Sequence, residues 1–393
     1  MATSRWRLMA SPLLNAFQVA PDHTVVVVFL RGGCDGLQLV APVNDRHYHQ
    51  ARPAALRVGE QQGYDLGSYK NTAFRLHPKA GGLKELFDAG DLAIVHGCGL
   101  QNGTRSHFDA MDLIERGLVK QQSLDSGWMA RALEQMPTPG ALPAVSATAN
   151  LAQSMAGSLQ AASMEHVARY RLTKELRSPA LIQKLYANDP MLGPVAEQTL
   201  ATLRFIETGL SKTQRKLLRQ GLPGYPKNWP SRELSRSLQS VATLVKMGAG
   251  LRMVNVDYGG WDTHEHQENA FPQLVQGLSD SLTAFYHDMR AHHERLTVVV
   301  MTEFGRRVRA NRSQGTDHGH GNWMLVLGGG VKGGKHYGKW PGLAPELLDK
   351  RVDLAVTTDY RQVLAEVLQQ HQGVQQPRAV FPGLHPFRPL GFA

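Results

Sequence analysis

Five short apolar runs constrain the fold of this 393-residue chain more than any other feature. They are TVVVVFL (24–30), LAIVHG (92–97), LRMVNV (251–256), LTVVVMT (296–302) and WMLVLGG (323–329). Continuous apolar runs of this length, bounded by glycine or polar turns and rich in β-branched residues, are typical of strands buried on both faces of a parallel sheet. The sequence therefore predicts a central sheet that is covered on both sides.

Helix-like stretches separate these runs at 80–90, 106–117, 231–248 and 274–293. Strands that alternate with helices predict a doubly wound, mostly parallel α/β sheet flanked by helices. We expect one such domain over 22–393. The stretch 145–230 differs because it is polar, helix-prone and punctuated by PGYPKNWP (223–230), so we predict a helical insertion or cap there.

Charge and composition limit the classes of partner that the protein is expected to bind. The formal net charge of +10 suits an anionic ligand. The basic residues are scattered, and the short cluster KTQRKLLRQ (212–220) is typical of a solvated helix face, so nothing favours nucleic acid beyond the charge itself. No apolar stretch approaches the roughly 20 residues of a membrane helix, so no membrane span is expected.

The N-terminal stretch and the two cysteines suggest no special processing. The apolar segment of MATSRWRLMASPLLNAF is broken by Pro12 and Asn15, a poor pattern for a secretory signal. We expect a cytoplasmic protein, with export to the periplasm as the alternative. Cys34 and Cys98 form no disulfide framework or zinc pattern and are interpreted as small packed thiols at strand ends.

Polar side chains of metal-ligand and nucleophile type follow the apolar runs. In an open α/β sheet, ligands bind outside the carboxyl ends of the strands, so the residues at those ends are the candidates for a site. They are Asp35; Thr104, Arg105, Ser106 and His107; Asp262, His264 and His266; Glu303; and, just before the fifth run, Asp317, His318 and His320. Together they predict a site at one edge of the sheet.

The segment GGWDTHEHQ (259–267) raises the question of a metal site. If it is extended, Asp262, His264 and His266 point the same way, whereas in a helix Asp262 and His266 share a face. Imidazole and carboxylate together suit zinc, manganese or iron, while carboxylates alone suit calcium or magnesium. The competing interpretation is a loop of solvent-facing histidines.

The segment NGTRSHFDA (102–110) also allows two interpretations. A hydroxyl residue directly before a helix is usually an N-cap, which only satisfies free backbone donors. The same helix N-terminus is an anion site, and Arg105 adds a forked donor for phosphate or sulfate. Ser106 or Thr104 would then be the nucleophile toward an ester, activated by a nearby metal.

The stretch GGVKGGKH (329–336) matches a phosphate-binding loop only superficially. His336 replaces the Ser or Thr that would bind magnesium, and YGKWPG cannot open a helix. We interpret this stretch as a glycine-rich loop near the edge that carries the site.

Several motifs together resemble a bacterial family of unknown function, numbered fifteen-oh-one among such domains. The segments are VVVFLRGGCDGL, NGTRSHFDAMD, GGWDTHEHQ, TEFGRRV, TDHGHGN, VLGGGVKGGKHYGKWPGL and DLAVTTDYRQVL. The resemblance extends over nearly the whole chain from about residue 22. That family looks related to the alkaline phosphatase and sulfatase superfamily, which implies an alkaline phosphatase-like fold.

The resemblance also implies roles for individual residues. Asp35 corresponds to a metal-binding Asp after the first strand, and Ser106 or Thr104 to the nucleophile, with Arg105 as an anion clamp. The Asp-x-x-x-His ligand pair matches Asp262 and His266 by spacing, although His264 is the more regular histidine in the family. A late histidine ligand would be His318 or His320.

Two departures from the superfamily limit the chemistry that the resemblance implies. Glu303 and Phe304 stand where an Asp-His pair is expected, and a phenyl ring cannot coordinate a metal. We therefore expect either a single ion or a site completed by Asp317 or His107. The sulfatase Cys-x-Pro-x-Arg motif is absent, which argues against a formylglycine sulfatase.

The function predicted from these observations is a metal-dependent hydrolase of phosphate or sulfate esters, or of a related anionic bond. One or two divalent ions (zinc, manganese, magnesium or calcium) would act on a small anionic or sugar-linked ester. The alternative is a noncatalytic anion- or polysaccharide-binding protein on a degenerate phosphatase-like scaffold, which Phe304 motivates.

Overall fold

The computed structural model describes residues 23–137, 140–172 and 178–393. The prediction about the N-terminal stretch lies outside the described residues.

The main sheet confirms the α/β fold class. Among the described residues it has nine strands: β1 (Thr24–Leu30), β5 (Leu92–Gly99), β6 (Ala144–Ser146), β7 (Ala161–Ser163), β8 (Met253–Tyr258), β9 (Leu296–Thr302), β10 (Asn322–Gly328), β11 (Lys335–Gly338) and β12 (Thr358–Asp359). Their order is β11-β5-β10-β9-β1-β8-β6-β7, and β12 also pairs with β5. A small antiparallel sheet contains β2 (Val40–Pro42), β3 (Tyr64–Tyr69) and β4 (Thr72–Leu76) in the order β2-β4-β3.

All pairings in the main sheet are parallel except those of β10. This strand runs antiparallel to both neighbours, β5 and β9, whereas β1 is parallel to β8 and β9. The expectation that the fifth apolar run joins the parallel set was therefore wrong in direction. Because β10 is reversed, it begins at the edge where β1, β5, β8 and β9 end. The residues just before β10 therefore lie at the edge expected to carry the site.

Helices cover both faces of the main sheet. The α-helices are α1 (Gly36–Leu39), α2 (Arg46–Ala51), α3 (Gly81–Asp88), α4 (His107–Glu115), α5 (Trp128–Leu133), α6 (Pro179–Tyr186), α7 (Leu192–Gly209), α8 (Lys212–Gln220), α9 (Ser231–Lys246), α10 (Gln267–Asp288), α11 (Tyr360–Gln372) and α12 (Pro377–Val380). Short 3-10 helices occupy Ala54–Leu56, Gln153–Met155, Val167–Arg169, Arg290–Arg295 and Pro345–Leu347.

The central strand β1 shows why its sequence has no polar face. Val26 and Val28 belong to a core cluster with residues of α3, α9 and α10. Val25 and Val27 belong to a second cluster with residues of α4, α5 and α11. Because successive strand side chains point to opposite faces, both sets are buried only if both faces are covered.

The stretch 145–230 has two parts in the structure. The first contributes β7 and most of β6 to the edge of the main sheet, and the second contains the consecutive helices α6, α7 and α8. Helix α6 has no buried residue, whereas α7 buries five and α8 buries Leu218. A separate cap over 145–230 stays a prediction.

Two smaller expectations have definite outcomes. Both cysteines are buried free thiols, as predicted. The stretch 329–336 was predicted to be a glycine-rich loop near the edge that carries the site; this position was wrong, and the last two residues of the stretch belong to β11. The stretch follows the end of β10, where Gly328 pairs with Thr297 at the start of β9, because β10 is antiparallel.

Within the described ranges, no helix combines the length and apolar character that a bilayer crossing requires.

Candidate functional site

Four loops meet at the edge where the parallel strands of the main sheet end. They follow β1, β5, β8 and β9, and the segment leading into β10 joins them. Parallel neighbours place their carboxyl ends together, which is why residues distant in the sequence become neighbours here.

Three imidazoles converge on one carboxylate oxygen, Oδ1 of Asp262. The Nε2 atom of His107 lies 3.5 Å from that oxygen, that of His264 lies 3.0 Å from it and that of His318 lies 3.1 Å from it. The Nε2 atoms of His264 and His318 are 2.8 Å apart. We call these four residues, the aspartate and its three histidines, the Asp262 cluster.

Each histidine of the Asp262 cluster is held through its other ring nitrogen. Nδ1 of His107 lies 2.7 Å from Oε1 of Glu303, and Nδ1 of His318 lies 2.8 Å from the carbonyl oxygen of Arg105. Nδ1 of His264 lies 3.3 Å from Oδ1 of Asp317. Carbonyl and carboxylate oxygens only accept, so in a ring that binds a metal the proton lies on Nδ1 and leaves Nε2 free, whereas a proton on Nε2 of His264 or His318 would be donated to Asp262.

The tautomers leave unshared electron pairs facing one another. In a neutral imidazole protonated at Nδ1, Nε2 is a bare acceptor, and Oδ1 of Asp262 is also an acceptor. Among the described residues, the buried Nε2 of His107 has no hydrogen-bond partner. Nη2 of Arg306 already donates to Oδ1 of Asp262, and a proton or a metal ion at the Nε2 atoms would satisfy the remaining acceptors.

The surrounding charges keep the two carboxylates ionised. Burial raises the pKa of Asp262, but the hydrogen bond and charge of Arg306 outweigh it, and the net pKa is lowered. Burial likewise raises the pKa of Glu303, yet hydrogen bonds, first that from His107, leave it lower than usual.

The pKa values of His107 and His318 are shifted in opposite directions. The hydrogen bond to Glu303 raises the pKa of His107, against the effect of burial. Burial lowers the pKa of His318, and this outweighs its hydrogen bonds to the Arg105 carbonyl and to Asp262. Burial thus favours the neutral form of His318, the form that can bind a metal through Nε2.

Arg306 organises the cluster, and our sequence reasoning missed it. Its buried guanidinium donates from Nε to the carbonyl of Gly33 (2.6 Å) and from Nη1 to that of Thr316 (2.7 Å). Its Nη2 donates to the carbonyl of Gly32 and to Oδ1 of Asp262. The signal available in the sequence was an arginine directly after the strand end TEFG, where a buried cation can join several loops.

Phe304 packs against the cluster instead of contributing a ligand. Its ring centroid lies 4.9 Å from those of His107 and His318, and the residue is 2% exposed. Gly33 approaches so closely that a Cβ there would lie 2.6 Å from the Phe304 ring. The position that the resemblance assigns to a second metal ligand is thus part of the apolar wall.

The start of α4 carries the candidate nucleophiles. Ser106 is the N-cap of α4, and its hydroxyl accepts from the amide of Asp109 at 3.4 Å. The Thr104 hydroxyl accepts from the amide of Ser106 at 3.2 Å. The side chain of Arg105 is paired with the buried carboxylate of Asp353 (Nε to Oδ2 3.0 Å), so this guanidinium is already neutralised.

The structure does not bring Asp35 into the cluster. Its carboxylate is fully buried and receives two hydrogen bonds from Arg52 (2.6 and 2.9 Å) and one from Gln267 (2.6 Å). The interpretation of Asp35 as a metal ligand is therefore corrected. Its oxygens are saturated by an ion pair that the sequence pattern could not show.

His266 and His320 also lie outside the cluster. His266 has a left-handed backbone (φ 46°) that starts α10, and its 70% exposed side chain turns toward Gln314. The ring of His320 contacts Asp349 (3.0 Å) and the carbonyl of Leu100 (2.8 Å). Asp317 contacts the cluster only through Nδ1 of His264, so it orients a ligand atom.

The donor set of the cluster fits a divalent transition metal. Ligand atoms around a tetrahedral zinc ion lie about 3.3 Å apart, given bonds of about 2.0–2.1 Å. Here the three Nε2 atoms lie 3.0 to 3.5 Å from Oδ1 of Asp262, and those of His264 and His318 lie 2.8 Å apart, while the group whose ligand atoms all lie within 4.8 Å of one another is His107, Asp262 and His318. Three imidazoles held by second partners and one carboxylate match zinc or manganese better than calcium or magnesium, which prefer oxygen.

Three solved structures are distantly similar to this chain. The crystal structure of Ps i-CgsB in complex with k-i-k-neocarrahexaose is 8% identical, with 90% of this chain and 72% of that chain covered and a TM-score of 0.38. The alkaline phosphatase from the Antarctic bacterium TAB5 is 8% identical, with 78% and 92% covered and a TM-score of 0.30.

The PsFucS1 sulfatase from Pseudoalteromonas sp. is 8% identical, with 80% of this chain and 64% of that chain covered and a TM-score of 0.31. At these scores the similarities carry no argument about function. No curated protein matches the sequence.

A family model described as "Protein of unknown function (DUF1501)" matches residues 93–384. The matched range contains the whole Asp262 cluster with Glu303, Arg306 and Asp317, whereas β1 and Asp35 precede it. Because the match extends over well more than half of the sequence, the chain belongs to the DUF1501 family.

Proposed function

We propose that the protein is a divalent-metal-dependent hydrolase of phosphate or sulfate esters, or of a related anionic bond. The observation that carries this proposal is the convergence of three Nε2 atoms on Oδ1 of Asp262, with every imidazole held at Nδ1 by an acceptor. A relation to the alkaline phosphatase and sulfatase superfamily is part of the same hypothesis.

The Asp262 cluster would hold a single zinc or manganese ion. When bound, the metal would polarise the nonbridging oxygens of the ester and favour deprotonation of the attacking hydroxyl. Glu303, Asp317 and the Arg105 carbonyl keep the protons of the three rings on Nδ1. The apolar ring of Phe304 excludes water from one side of the cluster.

Ser106 is the proposed nucleophile, because it directly precedes the cluster residue His107 at the start of α4. The hydroxyl accepts only a long hydrogen bond, 3.4 Å from the amide of Asp109. The first amides of a helix have no carbonyl partner within it, so those of His107 and Phe108 would stabilise an anionic group there. Thr104 holds the turn by accepting from the Ser106 amide.

The proposal is tested with a metal measurement and an ester panel. We expect the purified protein to contain or take up about one equivalent of zinc or manganese, as measured by mass spectrometry and titration. We expect turnover of at least one of p-nitrophenyl phosphate, bis-p-nitrophenyl phosphate and p-nitrophenyl sulfate. Uptake below about a tenth of an equivalent would exclude the metal site.

Matched variants test which residues bind the metal and which residue is the nucleophile. His264→Asn should weaken metal binding at least about 100-fold, while His266→Asn, two residues away and outside the cluster, should leave it unchanged. Ser106→Ala should lower kcat by at least about 100-fold with the metal retained. If Thr104→Ala has that effect and Ser106→Ala does not, the nucleophile is Thr104.

A noncatalytic anion- or polysaccharide-binding protein is the second candidate. Phe304 favours it, because an apolar wall stands where the resemblance implies a second ligand. This candidate predicts that the metal-loaded protein binds anions but turns over no ester of the panel. It also predicts that Ser106→Ala changes only affinity.

A further inference from the structure

A basic cavity lies next to the Asp262 cluster. Its volume is about 480 Å³, and Asp317, which holds the ring of His264, lies in its wall. The wall also contains the residues Arg307, Arg309, Arg351 and His47. The cavity thus adjoins the cluster through Asp317.

Among the residues that the structure describes, no carboxylate lies within ion-pair distance of the arginines of this cavity, although the charge of Arg307 helps to lower the pKa of Asp317. Arg309 and Arg351 are exposed, and neither contacts a carboxylate. The buried Nε of Arg307 has no hydrogen-bond partner there either. The one acidic residue of the wall, Asp317, already accepts a hydrogen bond from Asn311 at 2.9 Å.

Three arginines against one aspartate give the cavity wall an excess of positive charge, which favours an anion. Arginine presents several donors in a planar fork that matches carboxylate, phosphate and sulfate. Apolar side chains, including Leu343, Leu348 and Val308, line the remaining wall. The lining therefore suits a ligand that combines anionic groups with an apolar surface, as a phosphorylated or sulfated sugar does.

We propose that this cavity is a subsite for a second anionic group of the ligand whose first anionic group is held at the Asp262 cluster. This inference rests on the proposed function, which it deepens by naming the substrate class. The substrate is a compound with at least two phosphate or sulfate groups, and the arginines bind the group that does not react.

Binding of two probes to the metal-loaded protein tests the subsite. Inorganic sulfate offers one anionic group and sucrose octasulfate offers several. By titration calorimetry at constant ionic strength, we expect wild type to bind sucrose octasulfate at least about tenfold more tightly than sulfate, since hydrogen bonds to charged groups are worth about 1.5–3 kcal/mol. Equal affinities, or no octasulfate binding, would overturn the proposal.

Two double variants, each lacking two arginines, distinguish a subsite from general electrostatic attraction. The double variant Arg309→Ala/Arg351→Ala should lower octasulfate affinity at least about tenfold while sulfate affinity changes less than about twofold. The control Arg378→Ala/Arg388→Ala removes the same charge from exposed positions outside the cavity and should leave octasulfate affinity within about twofold. Equal losses in both double variants would contradict the subsite.

A cluster variant keeps this test independent of catalysis. In His264→Asn, which replaces no residue of the cavity wall, octasulfate binding should still depend on Arg309 and Arg351. If no ester is hydrolysed but this dependence is found, the subsite stands and the hydrolase proposal fails. If esters are hydrolysed and the dependence is absent, the subsite fails alone.

Discussion

Glu303 controls the metal-binding form of His107. The carboxylate is fully buried and accepts from Nδ1 of His107 (2.7 Å) and from the amide of Gly32 (2.8 Å). It thereby fixes the ring orientation and directs Nε2 toward Asp262. Replacing a residue that hydrogen-bonds to a metal ligand, as Glu303 does, typically weakens metal binding about 10- to 100-fold.

Replacing Glu303 should therefore change both the affinity for the metal and the pKa of His107. In Glu303→Gln we expect about 10- to 100-fold weaker metal binding. We also expect the pKa of His107 in the metal-free protein to fall, because the hydrogen bond to Glu303 is the main reason that it is raised. Nuclear magnetic resonance titration of His107 measures the second effect, which a merely structural role would not produce.

The equally buried Glu366 provides the control for this prediction. Its carboxylate accepts from backbone amides at the C-terminal end of the chain, including those of Gly391 and Phe392. Glu366→Gln removes a buried charge of the same type but should leave the pKa of His107 unchanged. An unchanged His107 pKa in Glu303→Gln would refute the role of Glu303.

The raised pKa of His107 also predicts opposite pH dependences for folding and metal binding. Protonated His107 stabilises the metal-free fold fully below its ordinary pKa, and this contribution disappears as the pH rises through the raised folded-state pKa. Metal competes with the proton for Nε2, so metal affinity should decrease as the pH falls through the same pKa. Competition titrations at several pH values measure this dependence, and pH-independent affinity would exclude His107 as a ligand.

At the level of elements, a buried ion pair holds three segments together. Asp35 follows β1, Arg52 follows α2 and Gln267 begins α10. Asp35 and Arg52 both have side chains with 0% exposure. Breaking such a pair leaves an unpaired buried charge, which costs about 3–5 kcal/mol.

Asp35→Asn should therefore lower the free energy of unfolding by about 3–5 kcal/mol and leave metal affinity unchanged. Urea unfolding measures the first quantity, and metal titration at a temperature where the variant is folded measures the second. The double variant Asp35→Asn/Arg52→Met should recover part of the loss, because no unpaired charge remains. Weakened metal binding with unchanged stability would restore Asp35 as a ligand.

The direction of β10 shows the limit of sequence reasoning at this scale. An apolar run predicts a buried strand but contains no information on direction. Direction depends on the connection, and the stretch from 303 to 321 between β9 and β10 contains no helix. Parallel neighbours need a crossover, usually helical, so β10 returns antiparallel beside β9.

The whole molecule is needed to assemble the Asp262 cluster. His107 begins α4, Asp262 and His264 follow β8, and His318 precedes β10. An unfolded chain does not hold these atoms together, so a metal that binds the cluster binds the folded state preferentially. Metal binding and folding should therefore be coupled.

Thermal unfolding tests this coupling. With free zinc or manganese at about 100 times Kd, the fold should gain about 2.7 kcal/mol, and the midpoint should fall again when a chelator is added. The increase should be absent in His264→Asn and retained in His266→Asn. An equal increase in both variants would place the metal elsewhere.

The sequence by itself determined the positions of the five long strands of the main sheet, the α/β class, the buried thiols and the types of side chain at the site edge. These features depend on local periodicity and on residue chemistry, which are readable within a few residues. Only the tertiary structure decided that His107, Asp262, His264 and His318 converge while Asp35 pairs with Arg52. The physical reason is that a carboxylate or imidazole has the same local signature whether it meets a metal or an arginine, and its partner is chosen by long-range packing.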